Sequence, residues 1–310
     1  MSSSPDPITV FDRSLVRGHR DRAAGKFDRY AFLVDEVADR LADRLLDVKR
    51  LFPVALDLGA RTGSFDKIRG NSGGIETLLQ ADLSSSMLKS TRGMAVAADE
   101  EWLPFADESL DLVISNLSLH WVNDLPGALV QINRALKPDG LFLGALLGGD
   151  TLIELRDALM TAEIALSDGA GSRISPFADL RDGGALLQRA GFALPVVDSD
   201  RITVSYETIF DLMADLRGMG ETNATVERTR APLSRRLLLQ AAEVYQDRYS
   251  EPDGRLRATF HVIYLHGWAP HESQPKPLRP GSAKQRLAQV LGGTEISTGE
   301  KAGQHQELDS

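Results

Sequence analysis

Val54-Ala-Leu-Asp-Leu-Gly-Ala-Arg-Thr-Gly63 decides the fold. Val54 to Leu58 is a mostly apolar run with the length of a buried strand, and it runs into a glycine-rich turn. A second strand, about Thr77 to Ala81, ends on Asp82, and a third, about Met94 to Ala97, leads into Asp99. Strand ends that each carry an acid or a glycine turn predict an open parallel sheet with a nucleoside-type ligand at its carboxyl edge. A plain strand–turn–helix corner explains the glycine turn taken alone. It does not explain three strand ends in register.

The order of residues narrows the ligand. Asp57 precedes the glycines, whereas a nicotinamide-dinucleotide fingerprint opens with them. That order favours S-adenosylmethionine (SAM), which has no pyrophosphate but carries a sulfonium, a zwitterionic amino acid, a ribose diol and an adenine. Gly59 and Gly63 let the backbone approach such a ligand. Asp57 can meet its ammonium, Asp82 can accept from the ribose hydroxyls, and Asp99 from the adenine amino group, with Trp102 or Leu103 against the ring. The neighbours Arg61, Leu83 and Glu100 complete the candidate set.

The 310 residues, 42% of them apolar, suffice for one large domain with extensions, and no apolar run approaches a membrane span. The first residues show no secretory signal. The absence of cysteine removes disulfides and thiolate chemistry and fits a reducing cytoplasm. A net charge of −9 argues against sequence-independent binding to nucleic acid, which works by neutralising phosphates.

Residues 1–10 and most of 271–310 are expected to be disordered, and 11–50 to form an N-terminal helical extension. Phe11 to Arg22 carries Arg13, Arg17, Arg20 and Arg22; a solvated segment is the favoured reading, a flap over the ligand the sharper one. Helical spacing runs from Tyr30 to Leu46, and the loop after Gly63, with its glycines at 70, 73 and 74, is expected to be mobile. A fourth strand leads to Asn116. Asp124 caps a helix that Lys137-Pro-Asp-Gly140 stops and turns into a fifth strand, Leu141 to Leu147. Another helix begins at Asp150 or Thr151. The last two strands, about 196–204 and 258–268, flank two helices, and the insertion of about 206–250 would lie over the sheet as a lid.

The pattern resembles the class I SAM-dependent methyltransferase fold: a Rossmann-like α/β domain over 51–270, with a seven-stranded, mostly parallel sheet and helices on both faces. Glu101-Trp-Leu-Pro-Phe-Ala-Asp, Ser109-Leu-Asp-Leu-Val-Ile-Ser and Leu136-Lys-Pro-Asp-Gly-Leu are typical of its small-molecule branch and occur also in malonyl-carrier-protein O-methyltransferases. Phe11-Asp-Arg, Leu117-Ser-Leu-His-Trp-Val-Asn-Asp-Leu-Pro126, Gly148-Gly-Asp-Thr-Leu-Ile-Glu-Leu-Arg156, Asp215-Leu-Arg-Gly-Met-Gly-Glu-Thr-Asn223 and His271-Glu-Ser-Gln274 resemble a narrower family. That family comprises respiratory complex I assembly factors that hydroxylate an arginine of an iron–sulfur subunit. The resemblance implies such a subunit as partner and contact with a membrane only through it. One departure stands out: relatives carry Gly-Cys-Gly-x-Gly where this chain has Gly59-Ala-Arg-Thr-Gly63. A left-handed backbone at Arg61 would cost roughly 1–2 kcal/mol, which a bond from its guanidinium to a ligand carboxylate would offset.

Three chemistries stay open on the residues. Methyl transfer to a nitrogen or oxygen that holds a proton needs a base, and His120, after the fourth strand, is the candidate, with Asn116, Ser118 and Trp121 shaping the acceptor pocket. The alternative for His120 is a packed ring beside Trp121. Arginine hydroxylation needs an oxidant, and the six histidines suggest no metal ligands: His261 and His266, five apart on a strand, face opposite ways. A non-catalytic assembly chaperone is the third reading, supported by Arg61. A methyltransferase of small or carrier-bound carboxylic acids is the alternative outside complex I assembly.

Overall fold

In a computed structural model of the chain, residues 9–166, 171, 173–177 and 183–275 are described. The expected disorder of 1–10 and 271–310 falls largely outside them. Seven strands form one sheet: β1 (Val54–Leu58), β2 (Thr77–Asp82), β3 (Met94–Ala97), β4 (Leu110–Asn116), β5 (Leu136–Leu147), β6 (Ala193–Tyr206) and β7 (Leu256–Trp268). Their order is β3-β2-β1-β4-β5-β7-β6. The first five run parallel, and β7 is antiparallel to both its neighbours. The order reverses between β1 and β4, which opens a crevice at the carboxyl ends of those strands.

Period-two alternation builds two cores. Ala55, Leu112, Ile114, Leu141, Leu143 and Ala145 face one way, against α2 (Phe32–Leu46), α6 (Ile153–Leu166), α8 (Ile209–Met219) and α9 (Arg235–Tyr249). Leu56, Leu58, Val113, Phe142 and Leu146 face the other way, against α5 (Leu125–Ala135) and α7 (Gly183–Arg189). Helices therefore cover both faces, as the apolar runs of the central strands require.

Several local expectations need correction. Phe11 to Arg22 is not a solvated segment. Asp12 caps a helix, α1 (Arg13–Ala23), by accepting from Leu15 N at 3.0 Å, and Val16, His19, Arg20 and Ala23 are buried. The stretch after Gly63 is not an open loop: α3 (Ser64–Ile68) begins at once, with Gly63 as its left-handed cap at φ 80°. α4 (Ser85–Leu88) follows β2. Lys137 to Gly140 does end α5, but β5 already starts at Leu136 and carries Asp139 at φ 65° within it. α6 starts at Ile153 rather than at Asp150 or Thr151.

Candidate active site

The crevice is built from strand ends. Asp57, next to last in β1, is 1% exposed, and neither carboxylate oxygen has a hydrogen-bond partner among the described residues. Burial, then the charges of Asp82 and Asp66, push its carboxyl up to about 7, against the smaller opposing pull of Arg61. Such a group wants a cation. Gly59 follows at φ 78°, and a Cβ there would collide with the side chain of Ser118. Gly59→Ala is therefore expected to cost about 2 kcal/mol through strain and overpacking, measured by urea unfolding. A loss below about 0.5 kcal/mol would mean that the turn and the β4 end are not in contact.

Asp82 closes β2 and is fully buried. It accepts from Ser84 N at 2.7 Å and Arg61 N at 3.1 Å, and Arg20 Nη1 stands 3.3–3.4 Å from its oxygens. Glu100 is equally buried. Its Oε1 accepts from Arg20 Nη1 at 2.9 Å and from Ser118 Oγ, and its Oε2 pairs with Arg13. Burial alone would raise the Glu100 carboxyl; the Arg20 and Arg13 guanidiniums outweigh it and hold the group far below the usual carboxylate range. Asp99 accepts from Arg13 Nη2 at 2.6 Å. Leu83 packs against the small cluster of Phe11, Val16, Trp121 and Ala224. Leu103 packs into the sheet core, whereas Trp102 is 79% exposed.

Arg61 takes up the left-handed backbone, at φ 50°, that its glycine-rich context foreshadowed. Its buried guanidinium turns to protein groups: Asn116 O at 2.9 Å, Leu117 O at 2.6 Å and Glu221 Oε1 at 2.6 Å. These bonds to a charged donor, about 1.5–3 kcal/mol each, offset the strain of about 1–2 kcal/mol. Leu117 is also left-handed, at φ 50°, so two strained residues face each other here. Asn116 gives its Nδ2 to Val34 O at 2.8 Å, and its Oδ1 has no partner among the described residues.

Glu221 ties the second half of the site together. The Thr208–Asp211 capping box starts α8, and Gly220, left-handed at φ 78°, ends it. Glu221 N then bonds Leu216 O at 2.8 Å, which fixes where the side chain departs. Besides Arg61, Glu221 accepts from Trp121 Nε1 at 2.9 Å and lies 3.0 Å from His120 Nε2. Burial would raise its carboxyl, but His120 and Arg61 bring it down to about 2. Burial lowers the His120 imidazole from its ordinary range, more than Glu221 raises it. A neutral ring facing a carboxylate, which only accepts, carries its proton on Nε2. Nδ1 is left as a bare acceptor with no partner among the described residues. Beside Glu221 opens a cavity of about 340 Å³, lined also by His19, Leu155, Phe177, Leu216 and Asn223.

Asp82, Glu100, Gly59 and Arg61 lie together around Ser118, and His120 and Trp121 join them through Glu221, whereas Gly63 faces Gln80 and Thr91. Sequence reasoning missed Arg13, Arg20 and Glu221 as site residues. The first two share a helix face with Val16 and Ala23, a spacing of three, four and three that sets cations on the buried side. Glu221 stood within the Asp215–Asn223 stretch that carries the family resemblance, but beyond its place after a glycine cap nothing marked it as a site residue.

The methyltransferase domain family matches residues 56–144. The human protein "Arginine-hydroxylase NDUFAF5, mitochondrial" is 46% identical over 91% of this chain and 83% of its own length. The malonyl-[acyl-carrier protein] O-methyltransferase of Laribacter hongkongensis is 38% identical over 87% of this chain and 94% of its own. Among solved structures, the protein BH2331 of Bacillus halodurans superposes with a TM-score of 0.51 at 16% identity, covering 74% of this chain and 99% of that one, which shows the shared fold alone. Among the described residues no helix is long and apolar enough to cross a membrane. The chain is a transferase-like enzyme with the methyltransferase fold, and it belongs to the NDUFAF5 arginine-hydroxylase family.

Proposed function

We propose that this enzyme binds SAM at the carboxyl ends of β1 and β2 and modifies an iron–sulfur subunit of respiratory complex I during assembly, by arginine hydroxylation or by methyl transfer. The observation that carries the SAM reading is Asp57. A fully buried carboxylate without a hydrogen-bond partner among the described residues fits the ammonium of an amino-acid ligand, and the domain family and fold agree with it. Gly59, Arg61 and Gly63 would shape the turn around the ligand, and Asp82, Leu83, Asp99 and Glu100 would take the nucleoside. When bound, SAM supplies an activated methyl on a sulfonium.

The chain's own chemistry lies in the Glu221–His120 pair. Glu221 fixes the ring and its tautomer, and Nδ1 is the atom that can take a proton from an acceptor. His120, Arg61 and Arg20 hold Glu221 ionised. Asn116 shapes the adjoining strand end. The cysteine-free chain suits a reducing compartment, and we place it in the cytoplasm, whereas the human relative's name places that protein in mitochondria.

The test is peptide mass spectrometry of the quinone-proximal iron–sulfur subunit from cells with and without the gene. Loss of one oxygen on an arginine supports hydroxylation; loss of one methylene supports methyl transfer. An unchanged subunit overturns both. Turnover of a carrier-bound acid would then favour the activity in the Laribacter relative's name. His120→Gln is expected to abolish the modification while the subunit still co-purifies. Modification at the wild-type level would sink the role given to His120.

A further inference from the structure

The acids proposed to hold the nucleoside already have a partner, and it belongs to the chain itself. Arg13 and Arg20 lie seven apart on one face of α1 and enter the crevice together. The Arg20 guanidinium is buried, with Glu100 Oε1 2.9 Å from Nη1, Asp82 within 3.4 Å of the same nitrogen, and Ser118 Oγ 2.9 Å from Nη2. Arg13 takes Asp99 at 2.6 Å and the other oxygen of Glu100. A ribose diol and an adenine amino group need the same acceptors, and a guanidinium stands where they would bond.

We propose that α1 is an internal occupant of the nucleoside site, so that Arg20 and Arg13 compete with the cofactor's nucleoside for Asp82, Asp99 and Glu100. SAM enters only when α1 undocks. The inference rests on the SAM reading above. The attachments of α1 suit a part that moves. Val16 packs in a small cluster with Phe11, Trp121 and Ala224, separate from the two sheet cores. Ala23, the last residue of α1, anchors that end in the larger core, and the other ties are polar, among them Asp12 N to Ala224 O at 2.8 Å, Asp21 to Ser84 Oγ at 2.6 Å, and His19 to Thr222 Oγ1 at 2.9 Å. Releasing α1 breaks no pairing within the seven-stranded sheet and disturbs only the single Phe11–Thr225 bridge that precedes the helix. It strips cations from three acids, a cost that arriving ligand donors offset only in part, so docked α1 lowers apparent affinity in proportion to its population.

Two measurements on the full-length chain test this, with SAM and S-adenosylhomocysteine as probes. Calorimetric titration is expected to show Arg20→Gln binding at least about tenfold tighter than wild type, because the glutamine keeps polar contact but gives up the charge. Hydrogen exchange on the wild type is expected to show faster exchange of the α1 amides once ligand saturates the protein. Ligand binding with α1 equally or better protected, or Arg20→Gln binding equally or more weakly, overturns the competition and leaves the SAM reading standing. Binding by neither protein at millimolar ligand overturns both.

Discussion

Glu221→Ala is expected to cost about 3–5 kcal/mol of unfolding free energy, because it leaves a buried charge without its counter-ion. Arg61 is 1% exposed, and burial already lowers its guanidinium below the ordinary arginine value. Two backbone carbonyls would remain to it, neither of them charged. Trp121 Nε1 would lose its acceptor, and the His120 ring would lose the bond that fixes its tautomer. The pH dependence follows from the sign of the shift. A carboxyl lowered from 4.5 to about 2 contributes stability that is complete above 4.5 and lost as pH falls toward 2. The gap between wild type and variant should shrink by about 2 kcal/mol between pH 4.5 and about pH 3. Urea titrations across that range measure it. A double-mutant cycle with Arg61→Gly should give a coupling of about 2 kcal/mol or more, since the glycine relieves the strained φ as it removes the charge. A cost below about 1 kcal/mol for Glu221→Ala would show that water, not Glu221, solvates Arg61.

How much of this was legible beforehand depends on the range of the contacts. The sheet and its ligand edge were read from Val54–Gly63, Asp82 and Asp99 because strand ends in a parallel sheet put near-sequence signals at one rim. Arg61 was visible as an anomaly, since a left-handed position departs from its preferred residue type. What the anomaly was for was not visible. Its counter-ion lies 160 positions away, on a loop whose composition announces only a helix end. The same holds for Arg20 and Asp82, 62 apart: four arginines in ten residues read as a solvated face, and only the three-dimensional crevice shows that two of them point inward. Charge composition gives the sign of a segment, and burial decides its meaning.

Asp57→Asn should move stability and ligand binding in opposite directions. A carboxyl whose folded value is raised from 3.8 to about 7 binds a proton in the native state over a range where the unfolded chain has lost it. The contribution of Asp57 to stability therefore falls as pH rises from about 4 toward 7 and is level above that. Asparagine keeps the shape and carries no charge to desolvate. In the absence of ligand the variant should be more stable than wild type by about 2–4 kcal/mol at pH 8, with the gain vanishing near pH 4. Its affinity for SAM should drop about ten- to a hundredfold, because a charged partner for the ammonium has gone. Thermal unfolding at several pH values gives the first quantity and calorimetry the second. If Asp57→Asn destabilises the protein at pH 8, the carboxylate is compensated inside the fold and is not waiting for a cation. If stability rises and binding is unchanged, the ammonium sits elsewhere in the crevice. The two readouts separate a residue kept for folding from one whose unfavourable burial is maintained for a ligand, a pattern in which a site is held at the expense of the resting fold.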